Sequence, residues 1–195
     1  CPGWPFATNF HAIKHGLLRM IRPAESADAD GIAAIYNYYV ANTAVTFEEE
    51  QCTAQQMAAR VRETLALDLP WLVAENDGGQ VIGYAYASRW NGRCSYRYSL
   101  EITVYLSHLV MAQGWGSRLY DALFGELRKR PVHVLIAGIA LPNEASIALH
   151  EKFGMRKVAH FSEVGHKLGR WHDVGYWQVM LDDVQSSSSD RMDSK

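Results

Sequence analysis

The chain has 195 residues, of which 48% are hydrophobic and 21% are charged, and its formal net charge at pH 7 is −2. This length suits one domain with a substantial core, and the charge balance gives no reason to expect nucleic acid or a membrane as a partner. Apolar runs such as Val132–Ala140 are far too short to span a bilayer. The composition is typical of a soluble globular protein.

The two ends of the chain differ from its centre. Residues 1–17 lack the apolar core and cleavage site of a secretory signal, so we interpret them as an extension that is disordered or was added for expression. Residues 184–195 form a polar, serine-rich stretch that predicts a disordered tail. The domain is therefore expected over residues 18–183. The three cysteines are widely scattered, which favours a reduced, cytoplasmic protein over a disulfide framework.

The first third of the chain predicts a strand followed by two helices. Leu18–Arg22 alternates apolar and polar residues and predicts a strand. A helix begins after Ser26 or Asp28 and continues to about Val40, and Thr43–Glu50 predicts a loop. A capping-box pattern opens the second helix, from Thr53 to Gln56. The predicted buried stripe of that helix consists of Met57, Val61 and Leu65.

The middle of the chain carries the most informative pattern. Trp71–Glu75 and Val81–Tyr86 flank the turn Asp77–Gly79 and predict a hairpin. Arg97–Leu106 predicts a strand that carries one acidic residue, and Trp115–Lys129 predicts a long helix after a glycine-containing turn. Backbone amides at such a helix start can bind a pyrophosphate. A carboxylate upstream could handle a proton there, which suggests group transfer from a nucleotide-linked carrier.

The last third completes a mixed sheet. Val132–Ala140 predicts a strand buried on both faces, and Glu144–Phe153 predicts a short helix that ends at Gly154. Lys157–Val164 and His172–Leu181 predict two closing strands. The order βααβββαβαββ predicts a single mixed α/β domain with a largely antiparallel sheet.

Ordered sequence blocks between residues 18 and 182 resemble one known family. The blocks are Tyr36-Asn37, Thr46-Phe47, Ser95–His108, Gly114–Ser117, Ala137–Asn143, Ser146–Glu151 and Gly169–Gln178. Together they resemble the GNAT superfamily of acetyl-CoA-dependent N-acetyltransferases, in its phosphinothricin N-acetyltransferase branch. The resemblance implies the GNAT acyl-CoA N-acyltransferase fold, an α/β (α+β) fold whose mixed, mostly antiparallel twisted sheet is flanked by about four helices.

The resemblance also implies how acetyl-CoA is held, without any metal. The glycine turn would bind the pyrophosphate, and the strand before it would bond the pantetheine through its backbone. The implied cofactor-binding residues are Thr103, Val104, Tyr105, Leu106, Met111, Ala112, Gln113, Gly114, Trp115, Gly116, Ser117, Asn143 and Ser146. The superfamily turn usually opens with Arg or Gln and often continues with Gly. Met111 and Ala112 occupy those positions here, so a lower affinity for CoA is expected.

Two residues are candidates for proton transfer. Glu101 is the expected general base, because burial in an apolar strand would raise its pKa toward neutrality. An ordinary solvent-facing Glu is the alternative. His150 matches the branch position thought to protonate the departing CoA thiolate, and imidazolium is a plausible acid near neutral pH. A structural, partly buried His is the competing interpretation.

The implied acceptor pocket consists of Phe47, Asn91, Arg93, Tyr96, Glu101, Thr103 and Tyr105. Arg93 could bind an anionic group through its bidentate fork, whereas Asn91 replaces a cation present in some relatives. The expected reaction is acetyl transfer from acetyl-CoA to the α-amine of phosphinothricin, methionine sulfone, methionine sulfoximine or arsinothricin, by direct attack in a ternary complex. The alternatives are a GNAT enzyme for protein N-termini, polyamines or aminoglycosides, and a non-catalytic acyl-CoA-binding module. A homodimer is expected from the family.

Overall fold

The computed structural model describes residues 21–181. The predicted N-terminal extension, the polar tail, and the start of the first predicted strand lie outside the described residues. Within them, the elements follow the predicted order. They are β1 Ile21–Pro23, α1 Ala29–Asn42, α2 Ala54–Ala66, β2 Trp71–Glu75, β3 Val81–Arg89, β4 Ser99–Leu106, α3 Trp115–Leu127, β5 Val134–Ala140, α4 Glu144–Lys152, β6 Arg156–Lys167 and β7 Arg170–Met180.

The strands form one seven-stranded sheet in the order β1-β2-β3-β4-β5-β7-β6. Among these strands β4 and β5 pair in parallel, and the other neighbours pair antiparallel. The parallel ladder joins Ser99–Glu101 to Val134–Ile136, although β4 continues to Leu106 and β5 to Ala140. The two strands therefore diverge beyond Glu101. We refer to the opening between Ile102–Leu106 and Ala137–Ala140 as the β4–β5 gap.

Each face of the sheet has its own apolar core, and this assigns a face to every residue of β4. Leu100 and Ile102 belong to the core that contains the α3 residues Leu119 and Leu123. Tyr105 packs against the other core, formed beneath α1 and α2. Because side chains alternate along a strand, Glu101 and Thr103 lie on the α1–α2 face with Tyr105.

Local signals account for the helix ends. Thr53 accepts a hydrogen bond from the Gln56 amide at 3.2 Å, and the Gln56 side chain accepts one from the Thr53 amide at 2.8 Å, so the predicted capping box is confirmed. Leu65 was predicted in the buried stripe of α2, but it is 40% exposed. That prediction is wrong: Met57 and Val61 are buried, but Leu65 lies in the last turn of α2, one residue before the helix ends at Ala66.

Cys52 is buried, and its thiol is free. None of the helices between residues 21 and 181 combines the length and apolar character needed to cross a bilayer. Over the same residues, no three potential metal-binding His, Cys, Asp or Glu side chains lie together.

Candidate active site

Glu101 lies at the point where the β4–β5 gap opens. It is the last residue of β4 that pairs with β5, opposite Ile136, and its side chain is partly buried on the α1–α2 face. Burial raises the pKa of the Glu101 carboxyl above its usual value of 4.5. Burial raises the pKa of Tyr86 and of Tyr176, and the charge of Glu101 adds to both shifts. A carboxylate with a raised pKa is a stronger proton acceptor.

Gly138 keeps space open beside this carboxylate. It lies on β5 in the gap and is exposed, although most of its strand is buried. A Cβ atom at this position would lie 3.2 Å from Cε1 of Tyr176 and 3.6 Å from Oε1 of Glu101. The missing side chain therefore leaves a small chamber between β4 and β5 whose walls are Glu101 and the Tyr176 ring.

The phase of the β3–β4 ladder determines which amides of β4 are directed into the gap. The Trp90 amide donates to the Ser99 carbonyl, and the Ser107 amide donates to the Ile82 carbonyl. Hydrogen-bonded pairs alternate along an antiparallel ladder, so the amide of Thr103 is directed toward β3 and that of Val104 toward the gap. Val104 is thus the strand donor available to an oxygen atom in the gap, and the main chain around it can pair with an extended ligand.

The glycine turn forms an exposed loop of amides at the start of α3. Gly114 caps the helix with φ +81°, and Ala112 has φ +63°. A left-handed conformation costs an L-residue such as Ala112 roughly 1–2 kcal/mol, so the common family glycine is physically preferred at this position. Gly116 allows α3 to approach α4, because its Cβ would lie 3.1 Å from Cδ2 of Leu149. The thirteen-residue helix and its turn fit a pyrophosphate.

The short helix α4 supports this region. Asn143 caps it by accepting a hydrogen bond from the Ser146 amide at 3.1 Å. At the other end of α4, Lys152 donates a hydrogen bond to the Ser117 hydroxyl at 2.9 Å. This bond joins the end of α4 to the first turn of α3. The predicted cofactor-binding residues thus lie on β4 beside the gap, at the start of α3 and at the start of α4.

His150 is buried within α4, and its two ring nitrogens are both engaged. Nδ1 lies 2.7 Å from the Ser146 carbonyl oxygen, which can only accept, so Nδ1 carries the proton. Nε2 then accepts a hydrogen bond from the fully buried Tyr120 hydroxyl at 2.8 Å. Burial lowers the pKa of His150 below its usual value of 6.5. This neutral, doubly bonded ring favours the structural interpretation; its role as general acid stays a prediction.

A substitution at His150 separates these two roles. We expect His150→Gln, which keeps one donor and one acceptor, to retain most of the wild-type kcat and to lower Tm. Because the folded-state pKa is depressed, the wild type loses stability as the pH falls through 6.5, and the variant should lose less over the same range. Steady-state kinetics and melting curves from pH 5 to 8 check this. A loss in kcat of about 10²-fold or more, typical of losing a general acid, would contradict it.

The predicted acceptor residues divide into two groups. Phe47, Thr103 and Tyr105 lie on or over the face that carries Glu101, with Phe47 in the α1–α2 loop. The other three, Asn91, Arg93 and Tyr96, lie in the exposed connection between β3 and β4. There the Asn91 side chain accepts a hydrogen bond from the Arg93 amide at 3.0 Å.

Sequence reasoning missed three residues near the site. Gly138 and Tyr176 were within recognised blocks, but their proximity to Glu101 depends on the register of β5 with β7, which pairs these two residues directly. Lys167 is 3% exposed and donates to the Thr46 carbonyl at 2.7 Å, over a separation of 121 residues. A lysine at the end of a polar strand gives no sequence signal of burial.

Comparison with known proteins identifies the family. A family model described as an acetyltransferase (GNAT) domain matches residues 21–175. Phosphinothricin N-acetyltransferase of Streptomyces viridochromogenes is 40% identical over 158 residues, which are 81% of this chain and 85% of that protein. L-methionine sulfoximine/L-methionine sulfone acetyltransferase of Salmonella typhimurium is 36% identical over 163 residues, covering 84% of this chain and 95% of that protein.

A solved structure agrees with these sequence matches. The GNAT superfamily phosphinothricin acetyltransferase of Sinorhizobium meliloti, in complex with acetyl-CoA, superimposes with a TM-score of 0.80 at 35% identity, over 83% of this chain and 87% of that chain. The predicted mixed, mostly antiparallel fold and the predicted resemblance are confirmed. The chain belongs to the GNAT family of acetyltransferases and is an acetyl-CoA-dependent N-acetyltransferase.

Proposed function

We propose that the enzyme acetylates the α-amine of a small anionic amino-acid analogue. Phosphinothricin is the leading acceptor, and methionine sulfone, methionine sulfoximine and arsinothricin are close alternatives. The observation that carries the proposal is the partly buried Glu101 at the opening of the β4–β5 gap, with a raised pKa and with space beside it at Gly138. The names of the two similar relatives support the acceptor class.

Glu101 acts as the general base in this proposal. An α-amino group has a pKa of roughly 8, so it is mostly protonated at neutral pH and cannot attack until it loses a proton. The Glu101 carboxylate accepts that proton directly or through one water molecule. Acetyl-CoA, when bound, supplies the acetyl group as a reactive thioester. No residue of the enzyme is acetylated, because the amine attacks directly in a ternary complex.

Backbone groups provide the other contributions. Val104 places an amide where it can donate to an oxygen atom in the gap, which is the role of a fixed donor in acyl transfer. The amides at the start of α3, around Gly114, are the proposed site for the pyrophosphate. A thiol has a pKa of about 8.5, so CoA can leave as a thiolate without a strongly acidic partner. The mechanism therefore does not require His150 to be charged.

The acceptor panel tests this proposal. Purified enzyme is mixed with acetyl-CoA and, in turn, phosphinothricin, methionine sulfone, methionine sulfoximine, arsinothricin, spermidine, an aminoglycoside and an N-terminal peptide, and free thiol is measured. We expect kcat/KM to be highest for the anionic analogues. Preference for a polycation would favour the alternative enzyme class. Absence of thiol release with every acceptor would favour a non-catalytic acyl-CoA-binding module.

Arg93 is the proposed cation for the acceptor. We expect Arg93→Ala to raise KM for phosphinothricin by about tenfold and to leave kcat nearly unchanged, because a charged hydrogen bond is worth roughly 1.5–3 kcal/mol. Arg93→Lys, which keeps the charge but not the fork, should be intermediate. Initial-rate measurements at saturating acetyl-CoA provide the readout. If KM of Arg93→Ala equals the wild-type value, Arg93 does not bind the acceptor.

Two further parts of the proposal concern the assembly and its place in the cell. We propose a homodimer, supported by apolar side chains on β6 and β7 that are at least half exposed: Val158, Phe161 and Trp171. Light scattering after gel filtration measures its mass.

We also propose a cytoplasmic location, because acetyl-CoA is made and consumed inside the cell. Fractionation of the native source measures where the enzyme is found.

A further inference from the structure

Lys167 connects two segments that lie on opposite sides of the β4–β5 gap. It is the last residue of β6, is 3% exposed, and donates from Nζ to the Thr46 carbonyl oxygen at 2.7 Å. Burial lowers the pKa of Lys167, and the carboxylates of Glu49 and Glu48 oppose that shift. A buried ammonium is costly unless it is hydrogen-bonded, so this contact is a specific feature of the fold.

Phe47 fills the adjacent space over the β6–β7 hairpin. A Cβ atom on Gly165 would overlap Cε1 and Cζ of the Phe47 ring and would lie 2.9 Å from Cδ1. The ring also lies edge-on to His172, with 6.2 Å between centroids, and His172 donates to the Lys167 carbonyl at 3.1 Å. Gly165 is therefore the position that allows the α1–α2 loop to rest on the hairpin.

The same loop is also fixed to β4. The Thr46 hydroxyl lies 2.9 Å from the Tyr36 hydroxyl, and the Tyr36 ring packs edge-on against the Tyr105 ring with 5.5 Å between centroids. Tyr105 is four residues beyond Glu101 on the same face of β4, a distance of about 13 Å along the strand. β4 lies on one side of the gap. The β6–β7 hairpin lies on the other side, because β7 pairs with β5. The α1–α2 loop contacts both sides and therefore spans the gap on the face that carries α1 and α2.

From these contacts we infer that Lys167 and Gly165 are positioning residues, which hold Thr46 and Phe47 as a strap across the acceptor side of the gap. The inference rests on the proposed function, because Phe47 is a proposed acceptor-binding residue. The strap lies on the face that carries Glu101, whereas the proposed pyrophosphate site is at the start of α3. Loss of the strap should therefore weaken acceptor binding and spare the cofactor.

The test uses Lys167→Met, which removes the ammonium but keeps most of the side-chain volume, and Gly165→Ala, which displaces the Phe47 ring. We expect each to raise KM for phosphinothricin by about tenfold, because small displacements of a positioning group have effects of this size or larger. The Kd of CoA, measured by calorimetry, should stay within about twofold of wild type. Lys167→Arg, which keeps a cationic donor, should recover part of the acceptor affinity.

Hydrogen exchange of residues 43–50 provides a readout that does not need activity. We expect faster exchange there in Lys167→Met and Gly165→Ala, and no change in Lys157→Met, the control on an exposed lysine of the same strand. Unchanged exchange would overturn the strap. Faster exchange with unchanged acceptor KM would overturn its role in acceptor binding. If the wild type releases no thiol with any acceptor, the proposed function fails, and the exchange data still decide whether the strap exists.

Discussion

We expect Glu101→Gln to lower kcat by about 10²–10⁴-fold near neutral pH, the range typical of removing a general base. The amide cannot accept the proton of the attacking amine, yet it has nearly the same shape and leaves the opening of the β4–β5 gap unchanged. The deficit should shrink at higher pH, because the amine, with a pKa of roughly 8, then arrives already neutral. Rates with phosphinothricin between pH 6 and 9.5 measure both effects.

Stability and cofactor binding provide the controls for this variant. Burial raises the Glu101 pKa, so the folded state holds this proton more tightly than the unfolded state. Ionisation therefore lowers stability as the pH rises through 4.5, and at pH 7 the charged residue is a cost that Gln removes. Glu101→Gln should have a Tm equal to or above that of the wild type and an unchanged Kd for CoA. Nearly full turnover would show that Glu101 is not the base.

We expect Gly138→Val to reduce kcat/KM for the acceptor by about 10²-fold. Its Cβ would lie 3.6 Å from Oε1 of Glu101 and 3.2 Å from the Tyr176 ring, and the two added methyl groups would fill the chamber between them. A displacement of about 1 Å at a reacting group can cost 10²-fold in rate. Gly138→Ala should give a smaller loss, because it adds one methyl group. Initial rates at varied acceptor concentration measure the series.

Gly125→Ala is the matched control for this series. Gly125 lies inside α3, and a Cβ there would meet no atom within 4 Å. Replacing glycine in a helix stabilises it by about 1 kcal/mol, so this variant should melt higher and keep its activity. For Gly138→Val we expect a lower Tm, because its Cβ lies 3.2 Å from the Tyr176 ring and the ring must move. Unchanged acceptor kinetics in Gly138→Val would show that the chamber beside Glu101 is not where the acceptor binds.

The sequence was sufficient where local chemistry decides the structure. The Thr53–Gln56 capping box begins α2 as predicted, and α4 begins at Glu144 as predicted. The central strand and the glycine turn were likewise placed correctly, because their patterns depend on residues only a few positions apart. Glu101 is partly buried in β4, as the apolar strand around it predicted, and its role as the base stays a prediction.

The rest depends on contacts between distant parts of the chain. The pairing of His150 with Tyr120 joins two helices through residues 30 positions apart, and it is burial in this contact that lowers the pKa of the ring. Burial of Lys167 requires the α1–α2 loop to provide a carbonyl oxygen at the right place. Gly138 is one of several glycines in the sequence, and its importance becomes visible when Tyr176 and Glu101 are placed beside it. Periodicity and caps carry no information about such contacts.

The central claim is that the β4–β5 gap brings an acceptor amine to Glu101. A crystal structure of the enzyme with CoA and phosphinothricin measures this directly. We predict the amine nitrogen within about 3.2 Å of the Glu101 carboxylate, or one water molecule away, with the pantetheine paired to the main chain at Val104. An amine bound away from Glu101, or a pantetheine lying outside the gap, would contradict the account.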